Sequence, residues 1–211
     1  STEWKYIKGY TIKTGANLNL DEHNNIFFNT GYISKAPKFS NIYTQSNTLQ
    51  EYIRNEKVKA VEAGYSFRST FFSANLNAYY TIWKNKPANI AKTIGGIRYS
   101  DVVPMNALHK GIELDCSYKI NQKISIEGLL SLGDWKWTSG GEAIILDNYN
   151  NAPSFELGNS DLDTLVYSAN GVHVGDAAQT QYGLSLRYEP NYKSYLKLRG
   201  TYFADYYSDF D

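Results

Sequence analysis

Three histidines, one cysteine and a scatter of carboxylates are the residues with which chemistry would begin in this chain. His23, His109 and His173 fall in a turn and at two loop edges, too far apart in the chain to suggest a metal site, and each reads as a polar side chain with a local role. Cys116 falls on an apolar face and reads as a small residue that is either packed or turned outward with that face. No GxSxG, HExxH, CxxC or phosphate-binding glycine loop occurs, so the expectation is no enzyme, no cofactor and no metal. Asp147, Asp161, Asp163 and Asp176 are oxygen donors of the kind Ca²⁺ takes, but no spacing fixes a cage, and they read as solvated loop acids. The loop aromatics offer more. Tyr43, Tyr52, Tyr99 and Tyr149 carry rings able to stack on a ligand, and Asn41, Asn47 and Arg54 bring hydrogen-bonding groups that could serve it. Asn41, Tyr43, Tyr52, Arg54, Tyr99 and Tyr149 are the candidate ligand-binding residues. Trp135 and Trp137 read as anchors at a rim or interface.

Composition narrows what could position such residues. The 211 residues suffice for one large domain or two small ones. A formal net charge of zero argues against a nucleic-acid partner, which selects for a basic excess. Apolar residues at 42% are at the level of a folded protein. A single cysteine excludes an internal disulfide. The 19 tyrosines are the outlier, and they favour strands and membrane interfaces. No apolar run is long enough for a membrane-spanning helix. The mean hydropathy of −0.47 says little about a β-wall, in which only every second residue faces lipid.

The stretch from Phe71 to Trp83, FFSANLNAYYTIW, sets the pattern. Phe72, Ala74, Leu76, Ala78, Tyr80 and Ile82 fall on one face; Ser73, Asn75, Asn77, Tyr79, Thr81 and Trp83 fall on the other. The first face is apolar throughout, and the second is polar with little charge. A tilted strand crossing a hydrocarbon layer takes about 9–11 residues, and Phe72 to Ile82 meets that length. The same alternation recurs over Tyr10–Leu20, Ile26–Tyr32, Val58–Arg68, Gly111–Ile120, Ile124–Leu132, Gln181–Tyr188 and Leu196–Asp205. Continuing the sixth strand puts Asp134 on the apolar face, which predicts a bulge near Gly133 or a strand that has already left the membrane. Short connections near 21–24, 69–70, 121–123 and 189–193 alternate with long ones at 36–56, 84–110 and 138–178. The last should hold a hairpin of Glu142–Leu146 and Thr164–Tyr167. Successive hairpins place all short turns at one end and all long loops at the other. The expected fold is therefore all-β, an antiparallel up-and-down transmembrane β-barrel segment of about eight strands with short periplasmic turns and long extracellular loops. Two other readings stay open on the pattern alone: a small closed eight-stranded outer-membrane barrel acting as adhesin or scaffold, and a soluble lipocalin-like binding protein with its apolar face turned inward.

The segments NEKVKAVEAGYSFRS (55–69), FSANLNAYYTIWKNK (72–86), NALHKGIELD (106–115), SLGDWKW (131–137) and HVGDAAQT (173–180) resemble the barrel domain of TonB-dependent outer-membrane receptors, closest to those preceded by a carboxypeptidase-regulatory-like domain. The resemblance runs from Tyr10 to Asp211. It implies that residues 1–211 are part of a single outer-membrane β-barrel domain, with plug and terminal strands absent, in a bacterial outer membrane. It also implies import of a siderophore, glycan or peptide, with outer-membrane lipids, TonB through an N-terminal part and a surface lipoprotein as partners. The chain opens without a signal peptide, so this reading expects one to have been removed or to lie upstream. Under it Glu113, Asp115, Glu127, Arg187, Lys197 and Arg199 face the lumen, where they pair with one another or with a plug.

Overall fold

The alternating segments become ten β-strands in the computed structural model, which describes residues 6–38, 42, 54–94, 96–144 and 164–208. The strands are β1 (Tyr10–Asn19), β2 (Asn24–Lys35), β3 (Glu56–Arg68), β4 (Phe72–Ile94), β5 (Ile97–Lys119), β6 (Ile124–Trp137), β7 (Gly141–Ile144), β8 (Thr164–Tyr167), β9 (Ala178–Asn191) and β10 (Ser194–Tyr206). Eight form one antiparallel sheet in the order β1-β2-β3-β4-β5-β6-β9-β10, an up-and-down meander. The expected hairpin in the last long connection is present as β7 paired with β8.

The four short turns share one device, a side-chain oxygen standing in for a turn carbonyl. Asp21 Oδ1 accepts from the His23 and Asn24 amides at 2.7 and 2.8 Å. Asn121 Oδ1 accepts from the Lys123 and Ile124 amides. Asn191 Oδ1 accepts from the Lys193 amide, and Ser69 Oγ from the Phe72 amide. These bonds favour the ionised form of Asp21: the His23 amide first, then the Asn24 side chain, hold its carboxyl below the usual range.

At the opposite end the structure corrects the expected loop over 84–110. β4 and β5 are 23 residues each and continue as a two-stranded hairpin almost to its tip. The prolines that argued for a loop are tolerated because Pro87 and Pro104 face each other beyond the last pairings with β3 and β6, where among the described residues neither strand has a ladder partner on its outer side. The register shift between Trp83 and Lys86 is taken up at Asn85, which has φ 56°. Gly96, with φ 82°, supplies the positive φ that a two-residue hairpin turn requires. The predicted bulge near Gly133 is absent: Gly111 pairs with Gly133 and Lys110 with Asp134 without interruption. Asp134 is accommodated on the apolar face instead by Lys110 at 3.2 Å and Lys136 at 3.0 Å.

Register aligns the apolar positions into rows. Leu18, Ile26, Tyr65, Leu76, Leu114, Leu130, Tyr182 and Tyr202 lie directly opposite one another across all eight strands. This face is not covered: Leu76 is 44%, Leu186 45% and Leu198 62% exposed. A lipocalin-like interior would bury these leucines against one another, so that reading is excluded. The closed eight-stranded barrel needs β1 paired with β10, and the structure leaves them as the two edges of an open sheet. A tight apolar cluster forms elsewhere, on the polar side near the long loops, where Met105 (0%) and Trp137 (1%) pack with Ala88, Val103, Ala107, Ala169 and Val174.

Substituting Asp21 by Ala should speed hydrogen exchange at the His23 and Asn24 amides without altering strand protection. In the unchanged protein the turn should hold through the ordinary carboxylate range and loosen only as pH falls through the depressed pKa, because the ionised form is the bonded one. Exchange measured by mass spectrometry across an acid series checks both.

Candidate functional site

The polar face carries the hydrogen-bonding groups. Its central row runs Asn17, Phe27, Gly64, Asn77, Glu113, Ser131, Gln181 and Phe203. Glu62 accepts from Asn77 Nδ2 at 2.8 Å and from Asn29 Nδ2 at 3.3 Å, and Asn77 Nδ2 also reaches Glu113 at 3.4 Å. Glu127 on β6 accepts from Ser185 on β9 at 3.0 Å and from Lys197 on β10 at 2.5 Å. The small Ser185 between them is what lets the Lys197 ammonium span a whole strand. Arg187 pairs with Glu189 and lies 4.2 Å over the Tyr195 ring. Of the six charges expected on this face, Glu127 and Lys197 therefore pair with each other.

Where the polar face meets the long-loop end, the register brings four aromatic residues and a lysine together. Thr81, His109 and Trp135 lie opposite one another, and Trp83, Ala107 and Trp137 form the next row of that face. His109 stacks on Trp135 with centroids 5.3 Å apart and tilts against Trp83 at 6.0 Å. Trp135 Nε1 donates to Tyr79 Oη at 2.8 Å. Tyr79 can lie across β5 because Gly111 has no side chain; a Cβ there would meet the Tyr79 ring and stand 2.6 Å from the Leu132 carbonyl. Lys86 places its ammonium 4.8 Å from the Trp137 ring centroid and 5.4 Å from that of Trp83. Among the described residues, Trp83 Nε1 and His109 Nε2 are enclosed without a hydrogen-bond partner.

Gln179 holds this cluster in place. The β6–β9 ladder ends at Leu132 and Thr180. Beyond it the buried Gln179 carboxamide acts as a substitute peptide group, accepting from the Trp135 amide at 2.8 Å and donating to the Trp135 and Val174 carbonyls at 3.0 and 3.1 Å. Residues 172–174 then continue along β6, with Trp137 N donating to Val172 O and Val174 N to Trp135 O. The result is a braced set of half-buried rings with one ammonium beside them, able to stack a flat or sugar-like ligand and to neutralise a single negative charge.

Of the six candidate ligand residues, the structure describes two. Arg54 is exposed just before β3, and the Tyr99 backbone pairs with Lys92 in the β4–β5 hairpin. Asn41, Tyr43, Tyr52 and Tyr149 lie outside the described residues, as do Asn47, Asp147, Asp161 and Asp163. The role expected for Trp137 needs correction: it is not a rim anchor but the largest side chain of the buried cluster, covered by Ala169 and Val174. Tyr79, Lys86, His109 and Gln179 were missed as site residues. Their common signal is position on the polar face of β4, β5 and β9 toward the long-loop end, which appears only once the register is known. Among the described residues no group of three His, Cys, Asp or Glu side chains is placed to hold a metal ion.

A family model described as TonB dependent receptor-like, beta-barrel matches residues 3–211. No curated protein matches the sequence. Among solved structures, one titled Copper transporter OprC superposes with a TM-score of 0.60 at 13% identity, over 85% of this chain and 24% of that one. One titled the FrpB iron transporter from Neisseria meningitidis (F3-3 variant) superposes with a TM-score of 0.58 at 18% identity, over 90% of this chain and 25% of that one. The chain thus spans about a quarter of the length of the structures it matches, and the likeness is one of fold.

Replacing Gln179 by Leu should leave the Trp135 amide buried without a partner and cost about 1–3 kcal/mol. Tyr79→Phe, which removes one acceptor from an indole, should cost about 1 kcal/mol. Denaturant unfolding followed by tryptophan fluorescence measures both.

Proposed function

The chain belongs to the TonB-dependent receptor β-barrel family, and we propose that it forms a stretch of the wall of an importer in the bacterial outer membrane. The observation that carries this reading is the uncovered row from Leu18 to Tyr202, apolar on every strand of the sheet. A monomeric soluble protein rarely exposes an apolar patch beyond a few hundred Å². Lipid is the medium that covers such a face, and β-strands can cross it because their backbone groups are paired in ladders. The polar face then lines the lumen, which is the path of the imported ligand.

What the lumen rim offers supports one reading of the ligand class. The titles of the two matched structures name copper and iron as the cargo of those proteins. Here the rim presents Trp83, His109 and Trp135 as flat rings with Lys86 beside them. That favours a ligand held by stacking, a glycan or a siderophore, over a bare ion. Arg54 and Tyr99, together with Asn41, Tyr43, Tyr52 and Tyr149, which lie outside the described residues, stay as proposed ligand contacts in addition to the rings. A plug, its coupling to TonB and a surface lipoprotein would act through other parts of the receptor and through the long loops.

Two measurements test the reading. Leu76→Arg, on the lipid-facing row, should cost about 2–4 kcal/mol and reduce recovery in the outer-membrane fraction, while Asn75→Arg on the opposite face should be tolerated. Cells lacking the receptor should lose energy-dependent uptake of one member of a panel of ferric siderophores, oligosaccharides and peptides, and Trp135→Ala should weaken that uptake. Recovery of the unchanged protein from the soluble fraction without detergent would overturn the proposal.

A further inference from the structure

One extra residue in β4 turns Lys86 inward. The even-numbered positions Leu76, Tyr80, Ile82 and Lys84 are exposed on the outward face of this strand. Strict alternation would put Lys86 with them. Instead Trp83 lies opposite Ala107 and Lys86 opposite Met105, so three steps on β4 match two on β5. Ala107 and Met105 share the polar face, and the extra residue therefore brings Lys86 onto that face beside Trp83. The shift is made at Asn85, whose φ of 56° is one that asparagine tolerates better than most side chains. Asn85 is held there: its amide donates to Asn106 Oδ1 at 3.3 Å, and its Nδ2 donates to the Asn55 carbonyl at 3.0 Å.

The ammonium so placed has rings for neighbours and no counter-ion. Its Nζ stands 4.8 Å from the Trp137 ring centroid and 5.4 Å from that of Trp83. Among the described residues Lys86 forms no ion pair. Glu56 is engaged by Lys35, and Asp134 by Lys110 and Lys136. The Nε1 of Trp83 is enclosed and also lacks an acceptor. Packing alone does not call for a charge here: a methionine would cover both indoles with no ammonium to desolvate. The spot is rich in donors and short of acceptors. The group that complements it carries one negative charge, accepts hydrogen bonds and donates none, which describes a carboxylate.

We infer that Lys86 selects for a carboxylate: the rim takes a ligand that carries one carboxylate on a ring able to stack. The carboxylate meets the Lys86 ammonium, and the ring lies against the half-buried rings of Trp83, His109 and Trp135. The inference rests on the importer reading and deepens it by naming the functional group through which the ligand is chosen. An acidic sugar and an aromatic acid both present that chemistry. A bare metal ion and a neutral sugar do not. The bulge at Asn85 then has a purpose beyond the ladder, because it moves one cation from the outward face to the face along which the ligand passes.

The test uses the full receptor in an uncharged detergent and equilibrium dialysis against two matched pairs: an oligogalacturonate with its methyl ester, and salicylate with its methyl ester. At least one acid should bind about tenfold more tightly than its ester, a comparison that requires no variant. The pair that does so identifies the ring. Lys86→Gln should bring that acid to the level of its ester and leave the ester's affinity unchanged, which a misfolded variant would not do. Equal binding of acid and ester in both pairs, binding of no probe, or a Lys86→Gln receptor that keeps the preference would overturn the site. Loss of acid and ester alike in Lys86→Gln would make the lysine a staple of the rim and overturn the selection as well. Insertion and uptake separate the two levels. A receptor that inserts into bilayers and imports a ligand without a carboxylate loses only this site. One that stays soluble without detergent loses the importer reading and the site together.

Discussion

A sheet with no second layer behind it must find cover for its apolar face outside the protein. In this chain the row from Leu18 to Tyr202 crosses eight strands, and its leucines stay exposed among the described residues. The ladder hydrogen bonds satisfy the backbone, so the side chains are free to differ completely between the two faces. Lipid on one side and an aqueous lumen on the other satisfy both halves of that division. The amide and carboxylate rows and the rim rings are each placed by it.

The two ends of the wall solve different problems. At the short-turn end the chain reverses within a few residues, and Asp21, Ser69, Asn121 and Asn191 lend side-chain oxygens to amides that the ladders do not reach. At the long-loop end the strands run past their neighbours, and unpaired backbone has to be satisfied singly. Gln179 supplies a carboxamide where β9 leaves β6. Asn55 donates to the Lys8 carbonyl and to Ser34, and the Asn55 carbonyl accepts from Asn85. Asn106 Oδ1 accepts from the Asn85 amide, and Ser139 Oγ from the Asn106 amide. These bonds tie the bases of successive loops together around the rim. The buried cluster of Met105 and Trp137 lies just inside, so the largest fully buried side chains of the described residues sit at this end of the wall.

On the polar face, charge is spent sparingly. Glu62 and Glu113 are met by amides and Glu127 by Lys197 and Ser185, leaving a surface that offers hydrogen bonds without a strong field of either sign. The rings at the rim are the exception, because stacking and a single ammonium can hold a flat ligand without burying an unpaired charge.

Much of this was legible in the chain itself. Period-two alternation distinguishes faces residue by residue, so strand number, hairpin order, the apolar set and the short turns needed no coordinates. The segment resemblance named the family on the same residues that the strands later occupied. The long β4–β5 hairpin was hidden because Pro87 and Pro104 are strand breakers except at a free edge, and an edge is a property of the neighbours. The rim cluster was hidden for a related reason. Tyr79 and Trp83, His109, Trp135 and Gln179 come from four separate strands, and only register brings them to the same end of the polar face. Alternation is local and is written in the sequence; which residues stand opposite one another, and where a neighbour's pairing stops, are decided by the assembled sheet.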